Sequence, residues 1–249
     1  MMLQIDTADG PAEAYLARPD DAGEDARHPG VLLFMDAIGL RPRLTEMADR
    51  IASWGYVVLV PHVFHRDGRA ADLAPDGPLD DASRDAFMGP AMERVHAYTP
   101  DLSGPDTAAW LATLRDTPGV TVPVGVVGYC MGARLALRAA CDHPDVVRAC
   151  AGFHGAALAT DEPYSPHLGL PQARAELALV HADQDPSMPA EAVAWLGAAI
   201  DEAGLTALNE VATGARHGFT MADTAVYDEA ATERTFAELR ALLGRTLHP

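Results

Sequence analysis

Residues 122–141 read VPVGVVGYCMGARLALRAAC, and this stretch decides the fold. Val122 to Val127 is an apolar run of the kind that forms a buried parallel strand. Ala133 to Cys141 has a helical pattern. Between them stands Gly128-Tyr129-Cys130-Met131-Gly132, which is G-x-S-x-G with cysteine in the serine position, in the strand–turn–helix context that motif requires. So sharp a turn strains its central residue and projects that side chain outward. Side chains at the two flanking glycine positions would strike neighbouring backbone. The helix that begins here aims N–H groups towards the sulfur, which favours a thiolate and an oxyanion. A buried structural thiol is the common fate of a free cysteine. Cys141, at a helix end, and Cys150, within an apolar strand, take that reading, while the turn singles out Cys130 as a nucleophile.

Working outward, the same alternation recurs. Val31 to Met35 is a continuous apolar run. Leu44, Met47, Ala48, Ile51 and Ala52 then fall on one helical face that Gly55 ends. Tyr56 to Val60 forms the next buried strand, closed by Pro61. Residues 66–105, rich in Asp, Gly and Pro, read as an excursion from the sheet with a helix within 84–97. A further helix is predicted over 106–114. Strands are predicted at Arg148–Phe153, Leu177–His181 and Thr206–Val211, with helices over Pro189–Ala203 and Glu229–Leu243. Such a pattern predicts an α/β fold, a mostly parallel sheet of about seven to eight strands with helices on both faces. The 249 residues suit one domain. Active sites in such sheets lie beyond the carboxyl ends of the strands.

Whole-chain properties narrow the partners. Eighteen basic against 36 acidic residues give a formal charge of −18. Phosphate backbones and anionic membranes are repelled by such a surface, so nucleic acid and membrane are not expected partners. No apolar stretch approaches the roughly 18 residues of a spanning helix. The start, MMLQIDTADG, has neither the basic nor the apolar part of a signal peptide. Three cysteines in a chain of this size do not make a disulfide framework, so a reducing cytoplasm is expected. The protein is expected to be a monomer acting on a small molecule.

A nucleophile in this kind of turn needs an acid and then a histidine, in that chain order. Leu177–His181 runs into Asp183-Gln184-Asp185, and Thr206–Val211 runs into Arg216-His217-Gly218-Phe219. His217 follows a strand, and Gly218 lets the chain approach closely there. It is therefore the expected base, which takes the thiol proton and returns it to the leaving group. Asp185 or Asp183 would fix its tautomer and stabilise its cation. Of the other histidines, His28 and His143 lie beside prolines and His248 lies at the tail. His62 and His65 stand at i, i+3, but no carboxylate or cysteine has the spacing to complete a metal site with them.

The G-Y-C-M-G, Q-D-P-S-M-P and R-H-G-F segments together resemble the dienelactone hydrolase family of the α/β-hydrolase superfamily, over roughly residues 30–245. The resemblance implies an α/β-hydrolase fold and a hydrolase that cleaves an ester or lactone through a Cys-His-Asp triad without a cofactor. It places the aspartate on Asp185. It also implies an acidic residue after the first core strand, usually Glu and here Asp36, which could keep the sulfur protonated until substrate binds. The N–H groups of Ala37 and Met131 are then the expected oxyanion hole. Family members that take a carboxylated lactone hold it with arginines, one of them shortly after the catalytic histidine. Here that stretch is Gly218-Phe219-Thr220-Met221, with no arginine. Arg66, Arg84 and Arg94, with Phe219, remain candidates for contacting substrate. His62 stands where the family usually has Asp. The alternative is a non-catalytic binding or thiol redox-sensing protein on the same fold. A thioredoxin-like oxidoreductase is excluded by the lack of C-x-x-C.

Overall fold

The strands that the apolar runs predict form one sheet in the computed structural model, which describes residues 1–20 and 26–247. His248 lies outside the described residues. Six strands run parallel: β3 (His28–Phe34), β4 (Val57–Pro61), β5 (Val120–Tyr129), β6 (Val147–Phe153), β7 (Glu176–Ala182) and β8 (Ala207–Ala212). With β1 (Met2–Thr7) and β2 (Gly10–Ala17) the order is β1-β2-β4-β3-β5-β6-β7-β8. β4 is buried at every position and β3 at all but its first, which is why both read as unbroken apolar runs.

The β1–β2 hairpin was not expected from the sequence. It pairs antiparallel within itself and against β4. Asp9-Gly10 at its tip, with Gly10 at φ 116°, is the turn signal that marks it. β1 carries that signal weakly, because it is an edge strand with only Ile5 buried.

Among the described residues seven α-helices accompany the sheet. α1 (Pro42–Ala52) buries the five residues its spacing picks out. It shares one face with α7 (Glu229–Leu247), to which Arg50–Glu233 and the edge-on Trp54–Phe236 pair join it. On the other face lie α4 (Pro100–Asp116) and α5 (Met131–Asp142). α4 begins six residues earlier than the periodicity predicts and carries Pro105 inside its first turns. α6 (Ala190–Glu202) precedes β8. The excursion contains the short α2 (Ala70–Leu73) and α3 (Asp81–Ala97), and α3 starts on an Asp80 cap that accepts from the Ser83 N–H. No described helix is long and apolar enough to cross a membrane.

Candidate active site

Cys130 joins β5 to α5 with φ 55° and ψ −120°, a conformation that non-glycine residues avoid. The glycines around it are sterically required. A Cβ on Gly128 would collide with the Gly132 carbonyl, and one on Gly132 would lie 2.5 Å from the carbonyl oxygens of Phe34 and Met35. Cys130 is half-buried while Cys141 and Cys150 are buried. Burial pushes the Cys141 thiol up to about 12, and Cys150 also rises, so neither is a nucleophile at neutral pH.

From the ends of β7 and β8 come the acid and the base. The Asp185 carboxylate accepts from His217 Nδ1 at 2.5 Å. Its other oxygen is held by the Ser187 N–H at 2.9 Å and the Ser187 hydroxyl at 2.5 Å. The same hydroxyl lies 3.2 Å from His217 Nδ1. Asp183 faces elsewhere: it accepts from the Gly214 N–H at 2.8 Å and fastens the loop after β8. Gly218, at φ 92°, then turns the chain so that His217 faces the cleft.

Burial alone would lower the His217 pKa. The negative sulfur of Cys130, and hydrogen bonds to Asp185 and Cys130, outweigh burial and raise it to about 10. Burial pushes Asp185 the other way, but its bonds to His217 and Ser187 bring its pKa below the usual carboxylate range. At neutral pH the ring therefore favours its protonated form.

The cleft over these groups is small, about 30 Å³, room for roughly two waters. Asp36, Ala37 and Cys130 line it on one side and Arg84 and Met88 of α3 on another. Asp36 is in the cleft wall, but its oxygens are committed. Oδ1 accepts from the N–H groups of Ile38 and Gly39 at 3.2 and 3.3 Å, and Arg41 grips both oxygens at 2.7 and 3.1 Å. Arg41 also binds Asp223 through Nε at 2.5 Å and Nη2 at 3.1 Å. Asp36 makes no hydrogen bond to Cys130 or His217 among the described residues.

Of the arginine candidates only Arg84 reaches the cleft. Arg66 is bound to Asp9 and Asp106, and Arg94 lies over the Phe64 ring. Phe219 is fully buried, with its ring edge-on to His154. His62 bonds the Gly68 carbonyl and His65 the Thr7 hydroxyl, and no metal-binding cluster of His, Cys, Asp or Glu occurs among the described residues.

Two residues escaped the sequence reading. Ser187 sits inside the Q-D-P-S-M-P segment, but nothing in its spacing says that its hydroxyl reaches both Asp185 and His217. His154 follows β6 at φ 40°, fully buried, with Nε2 at 2.7 Å from the Thr220 hydroxyl and its ring edge-on to His217 at 5.4 Å. Burial first, then the His217 charge, lower its pKa well below the usual value, so a neutral ring supports the cationic one.

The chain is similar to known proteins over nearly its whole length. Residues 12–247 match the model of the dienelactone hydrolase family. A carboxymethylenebutenolidase of Pseudomonas sp. strain P51 is 29% identical over 129 residues, 52% of this chain and 50% of that protein. One of Rhodococcus opacus is 30% identical over 137 residues, 54% of this chain and 46% of that protein. The chain thus aligns with about half the length of these relatives. A dienelactone hydrolase-like promiscuous phosphotriesterase, P91, from metagenomic libraries superposes with a TM-score of 0.73 at 21% identity, covering 99% of this chain and 98% of the other.

Proposed function

Because this chain belongs to the dienelactone hydrolase family, we propose that it hydrolyses a carboxylic ester or lactone through an acyl-enzyme on Cys130, as a single domain and without a cofactor. One observation carries the reading: His217 bonds Asp185 through Nδ1 while its charge answers the sulfur of Cys130 in the same cleft.

Cys130 Sγ attacks the carbonyl carbon, and the oxyanion is received by the N–H groups of Ala37 and Met131. The tetrahedral intermediate collapses, and the departing oxygen takes its proton from His217. Acylation removes the negative charge from sulfur, which is the largest influence raising the His217 pKa. The ring then becomes neutral in the acyl-enzyme, as a general base for the attacking water requires. Asp185 and Ser187 hold the ring through both half-reactions. Asp36 serves as an anchor: its bonds to Ile38, Gly39 and Arg41 fix the loop that presents the Ala37 N–H. Arg84, over the cleft, is the arginine in position to meet an anionic group near the reacting carbonyl. Arg66, tied to Asp9 and Asp106, and Phe219, buried against His154, are engaged elsewhere, and Arg94 does not line the cleft.

A panel of nitrophenyl esters and enol-lactones tests this. Turnover is expected and Cys130→Ala abolishes it; a mass shift equal to one acyl group on Cys130 is expected in quenched wild-type samples. An untouched panel, with peroxide oxidising Cys130 readily, would replace the hydrolase reading with the thiol-sensing one.

A further inference from the structure

A second cavity, of about 270 Å³, lies farther along the same two helices that flank the cleft. α3 supplies Arg84 and Met88 to the cleft and Val95 and His96 to this cavity. α5 begins directly after Cys130 and supplies Arg134 and Arg138. Arg134 and Arg138 lie one and two turns into this helix, about 6 and 12 Å along its axis from its start.

Its lining is unusual for a chain of charge −18. It contains Arg134, Arg138 and His96 and no carboxylate. Among the described residues Arg134 makes no hydrogen bond and no ion pair. Burial, which is the largest influence, lowers its pKa. Arg138 donates to the Tyr164 carbonyl and lies 5.9 Å from that ring. Its acidic neighbour Asp142 is outweighed by burial and by the charge of Arg134. Ser103, 5% exposed, also lines this space, and its hydroxyl makes no hydrogen bond among the described residues. The nearby Asp106 is taken up by Arg66 and the Tyr98 hydroxyl. A half-buried guanidinium without a counter-ion is costly, and a bound anion would relieve that cost.

We propose that the Arg134–Arg138 cavity binds the distal anionic group, carboxylate or phosphate, of a substrate whose ester or lactone carbonyl sits at Cys130. This rests on the hydrolase reading and deepens it. The preferred substrate is an ester with a negative charge several methylenes from the reacting carbonyl.

The experiment compares mono-nitrophenyl esters of succinic, adipic and suberic acids with their neutral methyl-capped counterparts. The wild type is expected to prefer the charged member of the longer pairs, with the preference expressed in KM. Arg134→Gln is expected to reduce that ratio about 10- to 100-fold, the worth of a charge-assisted hydrogen-bond pair. Arg138→Met is expected to reduce it less. No preference at any chain length, or a ratio unchanged in Arg134→Gln, overturns the proposal. Titration calorimetry with adipate and with inorganic phosphate provides a readout that needs no turnover. Binding of either anion that weakens about tenfold in Arg134→Gln supports the cavity, and which anion binds identifies the group. Binding of neither overturns it. If no ester is hydrolysed but the anions still bind at Arg134, the hydrolase reading fails while the anion site stands.

Discussion

Removing the sulfur charge should return His217 to ordinary behaviour. The ring's pKa is raised from 6.5 to about 10, which at about 1.4 kcal/mol per tenfold is a preference for the protonated form of about 5 kcal/mol. The largest contribution to this is the negative sulfur of Cys130. A nearby negative charge favours the protonated ring, and the sulfur is the largest of the influences that raise its pKa. Burial opposes it, and Asp185 supplies the rest. The sign follows directly. A neighbouring anion favours the charged ring, so deleting the anion lowers the pKa. In Cys130→Ala and Cys130→Ser the ring is expected to titrate below about 8, while the wild-type ring remains protonated at pH 8. Nitrogen-15 NMR of the histidine side chains between pH 5 and 10.5 reads both states. Serine is the stricter control, because it keeps the shape and hydrogen-bonding ability of the site without the charge. A wild-type ring found neutral at pH 8, or a Cys130→Ser ring that titrates with the wild type, would refute the ion-pair argument and the proton bookkeeping built on it.

Asp185→Asn should keep the fold and lower kcat by about 10³- to 10⁴-fold, because the amide no longer stabilises the ring cation; steady-state kinetics on a nitrophenyl ester checks this. Arg41→Met should leave Asp36, 4% exposed, as an uncompensated buried carboxylate. The expected cost is about 3–5 kcal/mol, seen as a fall in Tm of roughly 10 °C by calorimetry.

The central strands and the nucleophile turn could be read from the sequence because their determinants are local. β3 and β4 are buried on both faces, and two-sided burial writes itself as an unbroken apolar run. The Cys130 turn needs glycine on each side, since the chain collides with itself otherwise, so Gly128 and Gly132 announce it. Chain order and strand ends were enough to nominate His217 and Asp185. Choosing Asp185 over Asp183 took a family resemblance, and only the hydrogen bonds give the reason: two residues apart on one loop, one side chain faces the ring and the other ties down Gly214.

Tertiary structure alone decided what depends on residues far apart in sequence. Asp36 looked free to act on the sulfur, and it is Arg41, fixed in turn by Asp223 from 182 positions away, that holds it. Arg66, Arg84 and Arg94 were equivalent as sequence, yet the path of α3 gives the cleft to Arg84 alone of the three. His154 and Arg134 carried no motif, since neither a neutral ring packed under a charged one nor a guanidinium without a counter-ion has any local signature. Backbone conformation and burial patterns are short-range consequences of composition and period. Which charge meets which depends on how distant segments converge at the ends of the sheet, and the linear sequence does not encode that convergence in any one place.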